Sequence, residues 1–264
     1  MKKYLEVFKA TWEEYMVYRL NFALWRLRTV LRLFIVFFLW SVIFTGRNEI
    51  FGYNEAKIIT YILGTSIVAS FVLSSRTIDV GGEINEGRLT NYLLKPMSYF
   101  HFWFAKDIAD KLFNIMFSVV EITLLIVIFK PPIFIQPASF LTLLALLAVS
   151  ISIVMYFFIN LLLGFIAFVS PDTWPPRFIF IVITDFLAGG LFPLDILPKP
   201  LFTILNLTPF PYLLFFPLKI YTGGISQSNL IIGFITLLLW TLVLAKVVDV
   251  VWRRGLRVYS SEGR

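Results

Sequence analysis

Apolar residues fill this chain in long runs, and each run ends in a short cluster of charge, glycine or proline. Crossing a bilayer core of about 30 Å takes roughly 20 apolar residues in a helix. Six runs meet or approach that length, at 29–45, 57–74, 108–129, 139–169, 177–192 and 229–252. The fourth is overlong and is expected to tilt, or to extend into the cytoplasm past Gly164. The fifth is short. Before the first run the pattern is amphipathic: Leu5, Phe8, Trp12 and Tyr15 share one helical face, while Lys2, Glu6, Lys9 and Glu13 point elsewhere. Arg19, Arg26 and Arg28 then alternate with Phe22, Leu24, Trp25 and Leu27, a mixture that belongs at a membrane interface. Residues 1–28 therefore predict an interfacial helix or two, with a helix packed on other protein as the alternative. The fold class is an all-α integral membrane protein, one transmembrane domain over residues 1–264.

The longest polar interruption, Asp79 to Ser98 (DVGGEINEGRLTNYLLKPMS), lies between the second and third runs. Leu89, Tyr92 and Leu93 recur at i, i+3, i+4, which gives a short helix one apolar side. Glu83 and Glu86 precede it, where acidic groups suit the positive end of a helix, and Pro96 stops it. Gly81-Gly82 is expected to act as a hinge. Such a helix can lie on lipid or dock into a groove on another protein, and a tight packed loop is the plain alternative.

Between Pro193 and Gly224 the chain is long yet still apolar, and it holds six of the 13 prolines, among them Pro193, Pro209 and Pro211. Its two apolar pieces, Leu201–Leu207 and Tyr212–Ile220, are too short to cross a bilayer. They predict a hairpin that dips into the outer leaflet and returns; a folded external cap is the alternative.

Composition supports the membrane assignment. Hydrophobic residues make up 59% and charged residues 15%, where soluble domains carry about a quarter. The net charge of +7 comes from residues flanking apolar runs, which fits lipid headgroups and argues against nucleic acid. With six spans, only Arg47, Lys57, Lys130, Lys199 and Lys219 of the 23 basic residues fall opposite the termini. The positive-inside rule then places both termini and the Asp79–Ser98 loop in the cytoplasm of a multi-pass protein of the cell membrane. Glu6, Lys9, Glu13 and Glu14 break what would be a signal-peptide core, so the N-terminus is expected to be retained. A short basic tail runs from Trp252 to Arg264.

Candidate chemistry is sparse. There is no cysteine and one histidine, His101, too little for a thiolate or imidazole metal site. The carboxylates Asp79, Glu83 and Glu86 are better read as solvated than as a metal site. No GxxxxGK[ST] is present, so the chain has no P-loop, and no Ser/His/Asp set or HExxH appears. No catalytic residue, metal or cofactor is assigned. Two carboxylates, Glu121 and Asp185, fall inside apolar runs, where a charge costs about 2.5–3.5 kcal/mol on insertion scales. Each is expected to face protein or a polar cavity, as an interhelical contact or a pathway residue; Asn114 and Asn160 are weaker cases.

Three stretches carry a resemblance: EINEGRLTNYLLKPMS (Glu83–Ser98), PDTWPPRFIF (Pro171–Phe180) and the proline-rich segment from Phe186 to Gly224. Over nearly its whole length the chain resembles the permease subunit of type-two ATP-binding-cassette (ABC) exporters, small bacterial six-span members above all. The resemblance implies a homodimer or heterodimer of permeases in lipid, working with a separate cytoplasmic ATPase that binds ATP and Mg. It implies that Glu83, Glu86, Gly87, Leu89, Tyr92, Leu93 and Pro96 belong to a coupling helix seated in the ATPase. It also implies that the hairpin with Pro193, Pro209 and Pro211 closes the pathway outside, and that spans one and five face the partner permease. The other classes are an ion-coupled transporter, which would show inverted repeats or broken spans, and a membrane-embedded lipid-modifying enzyme, which would need clustered catalytic groups.

Overall fold

A computed structural model describes residues 2–137 and 140–259. Residue 139, the expected start of the fourth run, and the last five residues of the basic tail lie outside the described residues. Eleven α-helices and one two-stranded hairpin appear among those described. Helices α1 (Lys2–Val17) and α2 (Arg19–Ile43) are followed by the antiparallel strands β1 (Glu49–Ile50) and β2 (Tyr53–Asn54), then α3 (Glu55–Val72). The polar interruption forms a 3-10 turn (Arg76–Asp79), α4 (Val80–Asn85) and α5 (Leu89–Leu93). Next come α6 (Tyr99–Phe129), α7 (Phe140–Phe165) and α8 (Trp174–Leu187), and then α9 (Lys199–Leu205) and α10 (Phe215–Thr222) of the proline-rich segment. The last helix is α11 (Gln227–Val258).

Four helical segments are long and apolar enough to cross a membrane: α3, α6, α7 with the 3-10 turn that ends it at Phe168, and α11. The other two expected spans are helical but do not meet that standard. Helix α2 carries Arg26, Arg28 and Arg32 among its last eighteen residues. Helix α8 has only 14 residues, about 21 Å at 1.5 Å per residue. The overlong fourth run continues past Gly164: α7 reaches Phe165 and tightens there into a 3-10 turn (Ile166–Phe168). Large apolar side chains nonetheless line the outer faces of the long helices, such as Leu124, Val127 and Ile128 on α6 and Ile231, Ile235 and Leu242 on α11. Exposed apolar area on this scale is stable only against lipid or protein.

Helix α7 is the centre of the bundle. Its buried Ala148, Ile153, Met155 and Tyr156 share one cluster with Val72 of α3, Phe216 and Ile220 of α10, and Leu237 of α11. A second cluster joins Leu33, Val36, Phe37 and Trp40 of α2 to Ile58, Ile59 and Ile62 of α3 and to Ile122 and Leu125 of α6. The α2 positions are spaced 3, 1 and 3 apart, one stripe of a helix.

The N-terminal region differs from the expected boundary at residue 28. The break falls at Tyr18, and residues 19–28 continue without interruption into the first apolar run as one helix. The apolar side of α1 is packed on protein: Trp12 Nε1 donates to the Ala109 carbonyl at 2.9 Å, and Tyr15 stacks on Phe113 at 4.5 Å between centroids. Contacts climb in step from Tyr4–His101 through Phe22–Phe117 to Phe34–Phe129. So α1 and α2 together run parallel to α6 along its whole length.

Candidate functional site

Two regions hold the sequence-derived candidates. The first is the elbow between α3 and α6. Its base is locked by a buried ion pair on α6, Lys111–Asp107 at 3.1 Å, with neither side chain exposed. Lys111 Nζ donates to the carbonyls of Val72 and Ser74, satisfying the C-terminus of α3 as a cation there should. Asp107 accepts from Ser75 Oγ and the Arg76 amide, at the entry to the 3-10 turn. The chain therefore leaves α3 at a fixed angle.

Helix α4 follows, and Gly81-Gly82 lies inside it, not at a hinge. A Cβ at Gly81 would sit 2.9 Å from Thr173 Oγ1, so glycine is needed for close approach to the α7–α8 junction. Gly87 separates α4 from α5 with φ +71°, a conformation glycine adopts without strain. Its carbonyl accepts from Tyr259 Oη at 2.6 Å, which pins the elbow to the end of α11.

The apolar side expected from Leu89, Tyr92 and Leu93 is divided by the structure. Leu89 is fully buried beside Trp103, Phe165 and Val248. Tyr92 turns the same way and donates to Glu83 Oε1 at 2.7 Å. Burial raises the Glu83 carboxyl above its ordinary value, and burial with the adjoining Glu83 raises the Tyr92 phenol. Leu93, about 100° round the helix from Tyr92, remains 47% exposed and Leu94 is 81% exposed. Glu86 and Arg88 pair with each other on the surface, and Lys95 and Pro96 are exposed beside them. The outward apolar tip is thus Leu93–Leu94, while Glu83, Leu89 and Tyr92 hold the elbow from inside.

The second region is a cavity of about 1020 Å³ between α2, α3, α6, α7 and α8 that reaches the inner side of the elbow. One face of α8 lines it, through Arg177, Phe180, Ile181, Thr184 and Asp185, and Leu33 and Val36 of α2 add apolar wall. Asp185 accepts from Arg32 Nη1 at 2.8 Å across the cavity. Gly190 makes room for that arginine: a Cβ there would stand 2.7 Å from Arg32 Nη2. Glu121 is not among the lining residues. It takes both Nε (2.9 Å) and Nη2 of Arg26, which also reaches Ser118 at 3.1 Å and Asn114 at 3.4 Å. Asn160 accepts from Arg177 Nη1 at 3.0 Å. Sequence reasoning passed over Arg26, Arg32, Arg177, Lys111 and Tyr259. The available signal was the pair of carboxylates inside apolar runs, which demand cations.

On the far side of Asp185 the proline-rich segment is tied down. Tyr61 Oη donates to the Gly189 carbonyl at 2.7 Å, where φ is +82°. Tyr53 donates to Asp195 at 2.9 Å, Lys219 pairs with Asp195 at 2.7 Å, and Lys219 Nζ donates to Tyr53 Oη at 2.8 Å. Desolvation and Asp195 push the Tyr53 phenol upward. Pro193 and Pro209 each open a 3-10 turn, and Pro211 is buried in the second. Ser152 of α7 donates to the Tyr212 carbonyl of that turn at 2.6 Å.

No curated protein matches the chain. A family model described as ABC-2 family transporter protein matches residues 30–263, all but the first 29 residues and the last. That range takes in the elbow, the cavity-lining face of α8 and the outer helices. The chain therefore belongs to the ABC-2 family of transporter proteins, as a membrane-embedded permease subunit of an ABC transporter.

Proposed function

We propose that the chain forms half of an ABC exporter pathway: six spans, both termini cytoplasmic, coupled through the α4–α5 elbow to a separate ATPase and paired with a second permease. The observation that carries this is the elbow. It is braced by Lys111–Asp107, Leu89 and Tyr259, yet it turns Leu93 and Leu94 outward. An exposed apolar knob on a braced support can pass force from a nucleotide-driven partner into α3 and α6. In this reading α2 and α8 complete the six spans, α8 being prolonged towards the outer face by residues 188–197. Helices α9 and α10, with Pro193, Pro209 and Pro211, close the pathway outside. ATP and Mg bind the partner, not this chain.

The test uses the exposed positions. Leu94→Asp is expected to leave the fold intact and to abolish copurification of the ATPase, since an anchor of this kind contributes about 2 kcal/mol or more to an interface. Normal copurification would refute the docking assignment. Orientation is checked separately: single cysteines at the exposed Asn91 and Lys199 are expected to react with impermeant reagents from opposite sides, Asn91 from the cytoplasm. Labelling of both from one side would remove the six-span arrangement.

A further inference from the structure

Two cations that line the cavity, the exposed Arg28 and the buried Arg177, have no carboxylate within ion-pair distance among the described residues. Arg32 is bound by Asp185, Arg76 and Lys106 by Glu14, and Arg26 by Glu121. Arg177, at the start of α8, is only 4% exposed and has no carboxylate partner among the described residues. Its Nη1 is taken by the neutral Asn160, and its Nη2 has no hydrogen-bond partner. Thr184, two turns further along the same face, is 2% exposed and its hydroxyl is also without a partner. A buried guanidinium with an unfilled donor is costly, and its planar fork suits a phosphate or carboxylate. The start of α8 adds little by itself, because Pro175 and Pro176 remove two of its free N–H groups; the charge is the arginine's.

The wall beyond Arg177 is apolar. Phe180 and Ile181 lie between Arg177 and Thr184, a distance of about 10 Å along the helix, and Leu33 and Val36 face them from α2. We propose that the cavity receives an amphiphile with an acidic head, a phosphate or carboxylate on an apolar tail, with the head at Arg177 Nη2 and the tail along Phe180 and Ile181 towards Arg32–Asp185. A volume of about 1020 Å³ is ample for one such molecule. This rests on the reading of the chain as a permease and names the class of its cargo. It also answers the question raised by Asp185, whose charge is already met by Arg32 and so is not the recognising group for a cationic cargo.

Binding is measured calorimetrically on the full chain in a neutral detergent, with dodecyl phosphate, dodecyltrimethylammonium and inorganic phosphate as probes, and ATPase copurification is scored on the same preparations. Dodecyl phosphate is expected to bind at least tenfold more tightly than either of the others. Equal binding of the cationic probe would overturn the proposal, and equal binding of inorganic phosphate would overturn its amphiphile part in favour of a free anion. Arg177→Gln is expected to lose at least tenfold in affinity and Arg177→Lys to keep part of it. Because Arg177→Gln also disturbs packing, Asn160→Asp provides a second route: it places a carboxylate where the amide now meets the guanidinium and keeps the arginine. It is expected to weaken dodecyl phosphate binding tenfold or more in a folded protein, and wild-type affinity in that variant would overturn the proposal. Lost anion binding with ATPase still copurifying counts against the cargo class alone, whereas absence of the ATPase from the wild type counts against the permease reading.

Discussion

Arg26–Glu121 is the ion pair between α2 and α6, and its removal has a calculable cost. The side chains are 9% and 17% exposed, and Glu121 accepts both Nε and Nη2 of the arginine. Breaking one side of a buried pair costs about 3–5 kcal/mol, mostly the penalty of leaving the other charge unpaired. Ser118 and Asn114 still hold the guanidinium after Glu121→Ala, which places the loss near the lower end, about 3 kcal/mol. At about 2–4 °C per kcal/mol for a chain of this size, the thermal midpoint in a fixed detergent should fall by roughly 6–12 °C. Arg26→Leu should cost a similar amount by stranding the carboxylate. The double variant Arg26→Leu with Glu121→Leu leaves neither charge and should lose no more than either single variant, a coupling of about 3 kcal/mol. Additive losses would refute the pairing argument. Lost transport at unchanged stability in Glu121→Ala would return Glu121 to the pathway.

Three further outcomes follow from contacts of the elbow and the outer helices. Gly81→Val should destabilise by about 1–3 kcal/mol through collision with Thr173, and Thr173→Ala should recover part of it; a neutral Gly81→Val would show that the junction is loose. The Glu83 carboxyl is raised above its ordinary 4.5 by burial, so the folded state holds the proton more tightly than the unfolded chain. Stability should therefore fall as pH rises from about 4.5 through the raised value, and Glu83→Gln should flatten that slope in midpoint-against-pH curves. Asp195→Ala should unlock Tyr53 and Lys219, read as faster hydrogen exchange at residues 49–54 and 194–196; unchanged protection would show that the apolar contacts of Tyr53 suffice.

The helices were legible where the signal is local. Apolar length over about 20 residues is a property of one segment, so α3 lies within two residues of its expected limits at both ends, and Asn54, accepting from the Lys57 amide at 2.9 Å, supplies the start. Faces were less legible. Leu89 and Leu93 look equivalent in a spacing argument, but α5 has only five residues, and which edge is buried depends on Trp103, Phe165 and Val248, far away in the chain. Spacing along a segment cannot distinguish a side that docks on a partner from a side that docks on the same chain.

Charge behaves differently, because a buried charge states its own requirement. Glu121 and Asp185 are visible in the sequence as costs that something must cancel. What hid the answer was the boundary of α2: with a break expected at residue 28, Arg26 belongs to a surface helix. With the break at Tyr18, Arg26 and Arg32 enter the bundle on one continuous helix. Six residues apart, they turn towards different neighbours, Arg26 to α6 and Arg32 to α8. Once both carboxylates are matched, Arg177 is the buried arginine left with an unfilled donor. A membrane protein that could have placed leucine there at lower cost carries instead a positive group facing a cavity. The unfilled donor of Arg177, more than any motif, therefore points to the sign of what enters.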